Sequence, residues 1–337
     1  MSTRHPVAIL CLAALVGLAG SGCGLFGSPT TTGLGAAPAP ATSAVPPAPV
    51  ASGSPAPCTD PAASYRPQGP VPRAGDLPNG SYVQQIYNRG RVIAGIAQDT
   101  LMFGYLNPLD NELEGFDIDL VKQLSQAIFG DDLHVEYRVI TPGQAAQVLR
   151  DGTVDVVVRT LPMTCARWQQ IAFSSEYYEA SQRVLVPKAS TAKSINDLVG
   201  KKVCSAAGTA AMENVAAVSV NVKQADGTTK AVRPIPVGLT DQTDCLVQLE
   251  QGKVDAISMD DVILNGFAQQ DPNVSVIGPK FATLPYGIGI SLAHIDFVRY
   301  VNAVLDELRT NGTWVNLYNH WLSELGPASP PVARYRD

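Results

Sequence analysis

The feature that most constrains this chain is a short pattern that occurs twice. Residues 146–159 read AQVLRDGTVDVVVR and residues 245–261 read CLVQLEQGKVDAISMDD, with the frame Leu-x-x-Gly-x-Val-Asp-x-(Ile/Val) in common. In the second copy Leu246, Val247 and Leu249, with polar residues between them, suit a short amphipathic helix that Gly252 is placed to end. Val254, Ala256, Ile257 and Met259 then read as a buried strand. Asp260 and Asp261 follow at its carboxyl end, where open α/β sheets place their ligands. The first copy has the same parts, with Gly152, Val154-Asp155, an apolar strand and a charged exit residue, Arg159. A Pro-punctuated extended run precedes each copy, at 135–142 and 231–237. Two such units predict two α/β lobes facing each other across a cleft.

The chain of 337 residues is long enough for two modest lobes once a leader is removed. Its net charge of -6 and pI near 5.2 leave no electrostatic footprint for nucleic acid. Residues 1–22 read as a signal peptide: Arg4 and His5 make a weakly basic start, and Val7 to Ala19 are almost wholly apolar but too short for a comfortable membrane span. Gly20, Ser21 and Gly22 before Cys23 resemble the bacterial lipobox, whose Cys becomes a lipidated amino terminus, although Gly20 stands where an aliphatic residue is usual. An exported protein anchored to the cell membrane through Cys23 is therefore expected, with an ordinary secretory leader as the other reading. Residues 24–57 carry no charge and eight prolines, so they cannot bury enough apolar surface to offset their ordering entropy. They read as a tether, and as polyproline II its 34 residues would reach on the order of 100 Å.

Of six cysteines, Cys11 lies in the leader and Cys23 is the lipidation candidate, leaving Cys58, Cys165, Cys204 and Cys245. An even remainder in an exported chain reads as two disulfides, with three possible pairings. Cys204 falls in a predicted strand and Cys245 begins the helix of the second unit, which favours Cys204–Cys245 with Cys58–Cys165. Closing about 40 residues, the first is worth roughly 4 kcal/mol in the chain-entropy model. Free or metal-binding thiols are the alternative, but no Cys-x-x-Cys or Cys/His spacing supports them, and no metal or cofactor is expected.

Folding is expected to start near Gly80, after a lead-in that completes the 23–79 segment. A strand is predicted over Arg91–Ala97. A helix follows whose face carries Phe116, Leu120, Val121, Leu124, Ala127 and Ile128, with Asp117 near its start and Gly130 past its end. Further strands are predicted over 135–140, 182–186, 202–205 and 286–291. The last two helices carry Phe297 to Leu308 and Trp314 to Trp321, with Gly312 capping the first, and the Pro-rich tail 327–337 reads as loose.

Several stretches now fit one pattern. Gly115-Phe-Asp-Ile-Asp-Leu, Val154-Asp, Arg167 with Ile171-Ala-Phe-Ser-Ser-Glu-Tyr-Tyr, Asp197-Leu-Val-Gly-Lys-Lys-Val with Gly208-Thr209, Val254-Asp-Ala with Asp260, Tyr286-Gly-Ile and Leu308-Arg-Thr-Asn-Gly-Thr-Trp run in order from about residue 82 to 325. Together they resemble the family-3 solute-binding proteins for polar amino acids, and within them the glutamine/glutamate-binding lipoproteins of ABC importers. The resemblance implies a type II periplasmic-binding-protein fold, two α/β lobes joined by crossing segments near 176–182 and 284–289. Lobe 1 would then take residues 80–181 and 285–326, and lobe 2 residues 182–284.

The resemblance also implies site roles that suit an amino-acid zwitterion. An α-carboxylate wants a bidentate donor and backbone N–H groups, and an α-ammonium wants a carboxylate. Arg167 matches the family's carboxylate-binding arginine; a surface ion pair is its plain alternative. Thr209 and Ala210 follow Gly208 where a strand gives way to a helix, so their N–H groups can face an anion, or Thr209 can be a simple cap. Asp260 matches the ammonium-binding carboxylate, and Asp261 reads as its solvated neighbour on the opposite side of the strand.

Departures from the family pattern bear on specificity. Arg159-Thr160-Leu161-Pro162 stands where a carboxylate-binding Thr is usual, and Pro162 has no N–H to donate. Thr160 or Thr164 is the expected substitute. The aromatic residues that sandwich ligands in the family are missing at Met102 and Pro142, with Phe103 or Tyr105 as the substitute for the first. Arg159 adds a cation that would favour a second ligand carboxylate, hence glutamate or aspartate over glutamine or asparagine; a structural ion pair, for instance with Glu176 or Glu179, is the alternative.

The expected function is capture of an acidic or amide amino acid by a monomeric binding protein and its delivery to an ABC permease, without catalysis. A sensor lipoprotein reporting amino-acid levels to a membrane protein and kinase uses the same lobe closure. A cyclohexadienyl dehydratase on the same fold finds little support: His134, His294 and His320 have no metal spacing, and there is no Gly-x-Ser-x-Gly, P-loop or dinucleotide fingerprint.

Overall fold

The structure is a computed structural model and describes residues 58–337. The predicted signal peptide, Cys23 and the tether at 24–57 lie outside the described residues. Among the described residues no helix is long and apolar enough to cross a membrane, and no cluster of His, Cys, Asp or Glu has the arrangement of a metal site.

Two five-stranded sheets dominate. The first has the spatial order Val135–Val139, Val92–Ile96, Val156–Val157, Gly289–Ile290, Ala172–Phe173. The second has the order Ile235–Leu239, Lys202–Ala206, Ala256–Asp260, Tyr178–Pro187, Val274–Tyr286. In both, the first three strands run parallel and the last two join antiparallel. Val92–Ile96 is buried at every position, as a central strand covered on both faces must be.

The two repeated units occupy equivalent places. Ala145–Arg150 and Gln242–Glu250 are their helices, and Val156–Val157 and Ala256–Asp260 their strands. The return run Gly289–Ile290 pairs with Val156–Val157, which makes the first lobe discontinuous in sequence. Tyr178–Pro187 and Val274–Tyr286 pair from Tyr178 with Tyr286 to Pro187 with Val274, so the crossing segments are the ends of two long strands of the second sheet.

Helix Phe116–Phe129 forms where its apolar face predicts, with Asp117 and Asp119 in its first turn and Gly130 at φ 93° closing it. Gly115 at its start is required by packing as well as by its φ of 126°, because a Cβ there would lie 2.3 Å from the Phe103 carbonyl oxygen. Gly312, at φ 84°, links helices Ile295–Thr310 and Thr313–Trp321.

Both favoured disulfides are present, Cys58–Cys165 with Cα atoms 5.4 Å apart and Cys204–Cys245 at 5.7 Å. The second staples strand Lys202–Ala206 to helix Gln242–Glu250. Two expectations about the ends are corrected. Folded structure starts before Gly80, since Ala63–Ser64 forms a parallel pair with Arg334–Tyr335. The same pair shows that the tail beyond residue 326 is not loose: Pro-rich composition was outweighed by a run of charged and aromatic side chains, Arg334 to Asp337, that finds partners on the lead-in and on helix Ile295–Thr310.

Candidate functional site

The two repeated units deliver their strand exits to one place between the lobes. A narrow cavity there is lined by Pro142, Arg159, Thr160, Leu161, Pro162 and Arg167 from the first lobe, and by Ala206, Thr209, Ala211, Gln242, Met259, Asp260 and Ile263 from the second. Centres of water-sized spheres have about 30 Å³ to occupy in it, room for very few waters.

Asp260 ends strand Ala256–Asp260 with only 5% of its surface exposed, and its Oδ2 accepts a short hydrogen bond from the Tyr286 hydroxyl. Burial pushes its carboxyl up to about 6, with Asp261 adding to the rise while Tyr286 and Arg167 oppose it. Asp261 is not a solvated neighbour. Its Oδ1 accepts the Ser181 N–H at 3.0 Å and so clamps the crossing strand.

Arg167 sits on the one-turn helix Cys165–Trp168, capped by the Thr164 hydroxyl, which accepts the Arg167 N–H at 3.2 Å. The cap uses the Thr164 hydroxyl only as an acceptor; it is its place outside the cavity lining that removes Thr164 as a substitute carboxylate ligand. The Arg167 guanidinium donates to the Pro162 carbonyl at 2.7 Å and across the cleft to the Gly208 carbonyl at 3.2 Å. Burial lowers its pKa against the pull of Asp260 and Glu213. Pro162, which lacks an N–H, thus contributes to the site through its carbonyl.

Arg159 is 4% exposed, and among the described residues its Nε has no hydrogen-bond partner. Among the described residues no carboxylate stands within ion-pair distance of it. Glu176 and Glu179 are not its partners: burial depresses its pKa, and the charges that oppose the shift are Asp99, Asp117 and Asp241. Two of these carboxylates are engaged elsewhere. Asp117 accepts the Tyr177 hydroxyl at 2.8 Å and the Thr160 N–H at 2.7 Å, while Asp99 accepts from the Gln242 amide at 3.2 Å. Burial raises the Asp117 carboxyl to about 6, with Tyr177 and Thr160 pulling it down. Its grip on Thr160 holds that residue at φ 44°, a left-handed conformation unusual for a β-branched side chain, and turns the chain into the cavity.

Thr209 caps helix Ala210–Ala217: its hydroxyl donates to the Ala206 carbonyl at 2.7 Å and accepts the Met212 N–H at 3.2 Å. It also lines the cavity, whereas Ala210 does not; Ala211 takes that place. Phe103 is corrected as well. It is fully buried in a cluster with Phe116, Tyr178 and Tyr286, away from the cavity wall. Of the two positions that lack the expected aromatics, Pro142 faces the cavity and Met102 does not.

Sequence reasoning missed Gln242, Asp117 and Asp99. Gln242 is 2% exposed and bridges the lobes, its amide donating to the Thr100 hydroxyl at 2.6 Å as well as to Asp99. The loops around Gly143 and Gly208 also meet, since a Cβ on Gly208 would stand 3.2 Å from the Gly143 Cα. The lobes are therefore in contact across the cleft.

Two α/β lobes of like topology, two crossing strands and a cavity with cations on one side and a carboxylate on the other define a type II periplasmic-binding-protein fold. The chain belongs to the bacterial extracellular solute-binding proteins, family 3, whose model matches residues 92–324. It is 30% identical over 240 residues to the ABC transporter glutamine-binding protein GlnH of Bacillus subtilis, covering 71% of this chain and 84% of that protein. To the glutamine-binding protein of Geobacillus stearothermophilus it is 33% identical, over 61% of this chain and 75% of the relative. Among solved structures it superposes on an ancestral arginine-binding protein bound to glutamine with a TM-score of 0.61 and 28% identity, covering 69% of this chain and 98% of that one.

Proposed function

We propose that the protein binds an acidic or amide amino acid, with glutamate and aspartate preferred over glutamine and asparagine, and delivers it to an ABC permease without transforming it. The reading places it on the extracytoplasmic face of the membrane as a monomer, held by a lipid on Cys23. Membership of an extracellular solute-binding family and relatives described as glutamine- and glutamate-binding proteins support the ligand class. The observation that carries the preference is Arg159, a nearly buried cation facing the cavity whose Nε has no partner, and whose guanidinium has no ion pair, among the described residues. A buried guanidinium is costly without a carboxylate, and a ligand's second carboxylate supplies one. Arg167, Thr160 and Thr209 are assigned to the α-carboxylate and Asp260 to the α-ammonium.

An amino acid is larger than the present cavity, so the lobes must part to admit it. Entry then breaks the Arg167–Gly208 and Gln242–Asp99/Thr100 contacts and frees the Arg167 fork for the ligand's α-carboxylate.

Isothermal calorimetry against glutamate, aspartate, glutamine, asparagine and glutarate, which lacks the amine, tests the reading. Glutamate or aspartate should bind, glutamine and asparagine more weakly, and glutarate not at all. Arg159→Met should cost glutamate at least about 1.5 kcal/mol while glutamine loses less, as expected for a charged hydrogen-bonding partner. Equal losses for the two ligands would remove Arg159 from the specificity argument.

A further inference from the structure

The family match ends at residue 324 and begins at residue 92, yet the segments beyond both ends are joined to each other. Ala63–Ser64 pairs in parallel with Arg334–Tyr335. The Arg336 N–H donates to the Ser64 carbonyl at 2.9 Å and its Nε to the Ala63 carbonyl at 2.8 Å. The Arg336 guanidinium lies 3.6 Å over the Trp168 ring. Arg334 reaches Asp60 and Glu176, each at 3.2 Å.

Trp168 is the last residue of the one-turn helix that carries Arg167. Its indole N–H donates to the Pro61 carbonyl at 2.7 Å. Cys165, the first residue of the same helix, is joined to Cys58. A helix of four residues has no stability of its own, so tertiary fastenings decide where it sits. Here both its ends are fastened to the lead-in, and the lead-in is fastened to the tail. Arg167 stands between the two fastenings, and a planar fork holds a carboxylate only within a fraction of an ångström of its working position.

We propose that the lead-in and the tail form a clasp that sets the position of Arg167 for the ligand's α-carboxylate, with Trp168 and Arg336 as positioning residues. The proposal rests on the assignment of Arg167 given above. The competing route runs from Arg334 through Glu176 to the crossing strand, and would alter closure whatever residue stands at position 167.

A double-mutant cycle separates the two. Full-length wild-type protein, Arg336→Ala, Arg167→Lys and the double variant are titrated with L-glutamate and with L-glutamine, and each is melted. Arg336→Ala removes the contact over Trp168 together with the Nε–H bond to the Ala63 carbonyl and should weaken binding by at least roughly threefold, the scale of the cation–π contact alone. In the Arg167→Lys background, where the fork is already lost, the same substitution should have almost no further effect. Equal fold-losses in the two backgrounds would overturn the clasp proposal alone. Unchanged binding by Arg167→Lys would overturn the assignment of Arg167, and a wild-type protein that binds neither ligand would overturn it too; the clasp falls with it in both cases. The pair Cys58→Ser with Cys165→Ser repeats the cycle from the other fastening, and additive losses there count equally against the proposal.

Discussion

In the first lobe Asp155 accepts the Ile93 N–H at 2.7 Å while its own N–H donates to the Ile93 carbonyl at 2.8 Å; in the second, Asp255 does the same with Lys202 at 2.8 and 2.9 Å. The Val-Asp of the repeated frame is thus a clamp between neighbouring parallel strands, and it recurs because each lobe needs one. Beyond the clamp the copies diverge. The Asp155 side chain is 2% exposed and also holds Tyr82 and Arg89, whereas that of Asp255 is 43% exposed, with Lys201 at 4.0 Å. Four residues past each Asp the chain reaches the cavity, as Arg159 then Thr160 in one lobe and Met259 then Asp260 in the other. One scaffold used twice therefore supplies opposite charges to opposite walls, the polarity that a zwitterion needs.

The largest expected effect sharpens that opposition. Asp260→Asn removes the charge assigned to the ammonium and should cost about 2–5 kcal/mol in amino-acid binding by calorimetry. Retained wild-type affinity would break the assignment. The pH dependence gives a second handle on it. Because the folded carboxyl is raised to about 6 from 3.8, apo stability contributed by Asp260 is lost as pH rises through this range. Ligand affinity should run the opposite way and fall as pH drops below about 6. Asp260→Asn should flatten both slopes, leaving the part due to Asp117, which titrates over the same range.

The next effect compares the clamps. Asp155→Ala leaves the Ile93 N–H, Tyr82 and Arg89 without their shared acceptor and should cost about 3 kcal/mol in denaturant unfolding. Asp255→Ala, at an exposed clamp, should cost about 1 kcal/mol. Similar losses would mean that burial does not distinguish them. The smallest effect is one in which the copies should agree. Gly152 and Gly252 both have φ 65° and open space where a Cβ would stand, so alanine at either should cost about 1 kcal/mol from backbone strain alone.

The helix Phe116–Phe129, the strands of both units and the two disulfides were legible because each is written in local periodicity, a left-handed glycine or cysteine placement. Arg159, Thr160, Arg167, Thr209 and Asp260 were legible through strand exits and a family pattern, and all five line the cavity. Gln242 was not legible. It opens a helix in an ordinary polar context, and only the opposing lobe reveals that its amide meets Asp99 and Thr100, some 140 residues away. Phe103 was misplaced for the same reason: an aromatic near a cleft is indistinguishable in sequence from one in the core behind it.

By itself the sequence determined the two-lobed α/β plan, since a repeated hydrophobic period with its glycine stop specifies element type and face without reference to distant residues. It also specified the charges that the two strand exits carry. What the tertiary structure alone decided is how those charges are engaged: that Arg167 spends its fork on two carbonyls, that Arg159 stays unpaired among the described residues, and that the tail closes on the lead-in. Those outcomes depend on hydrogen bonds and burial between residues far apart in the chain, and no local pattern encodes a distance.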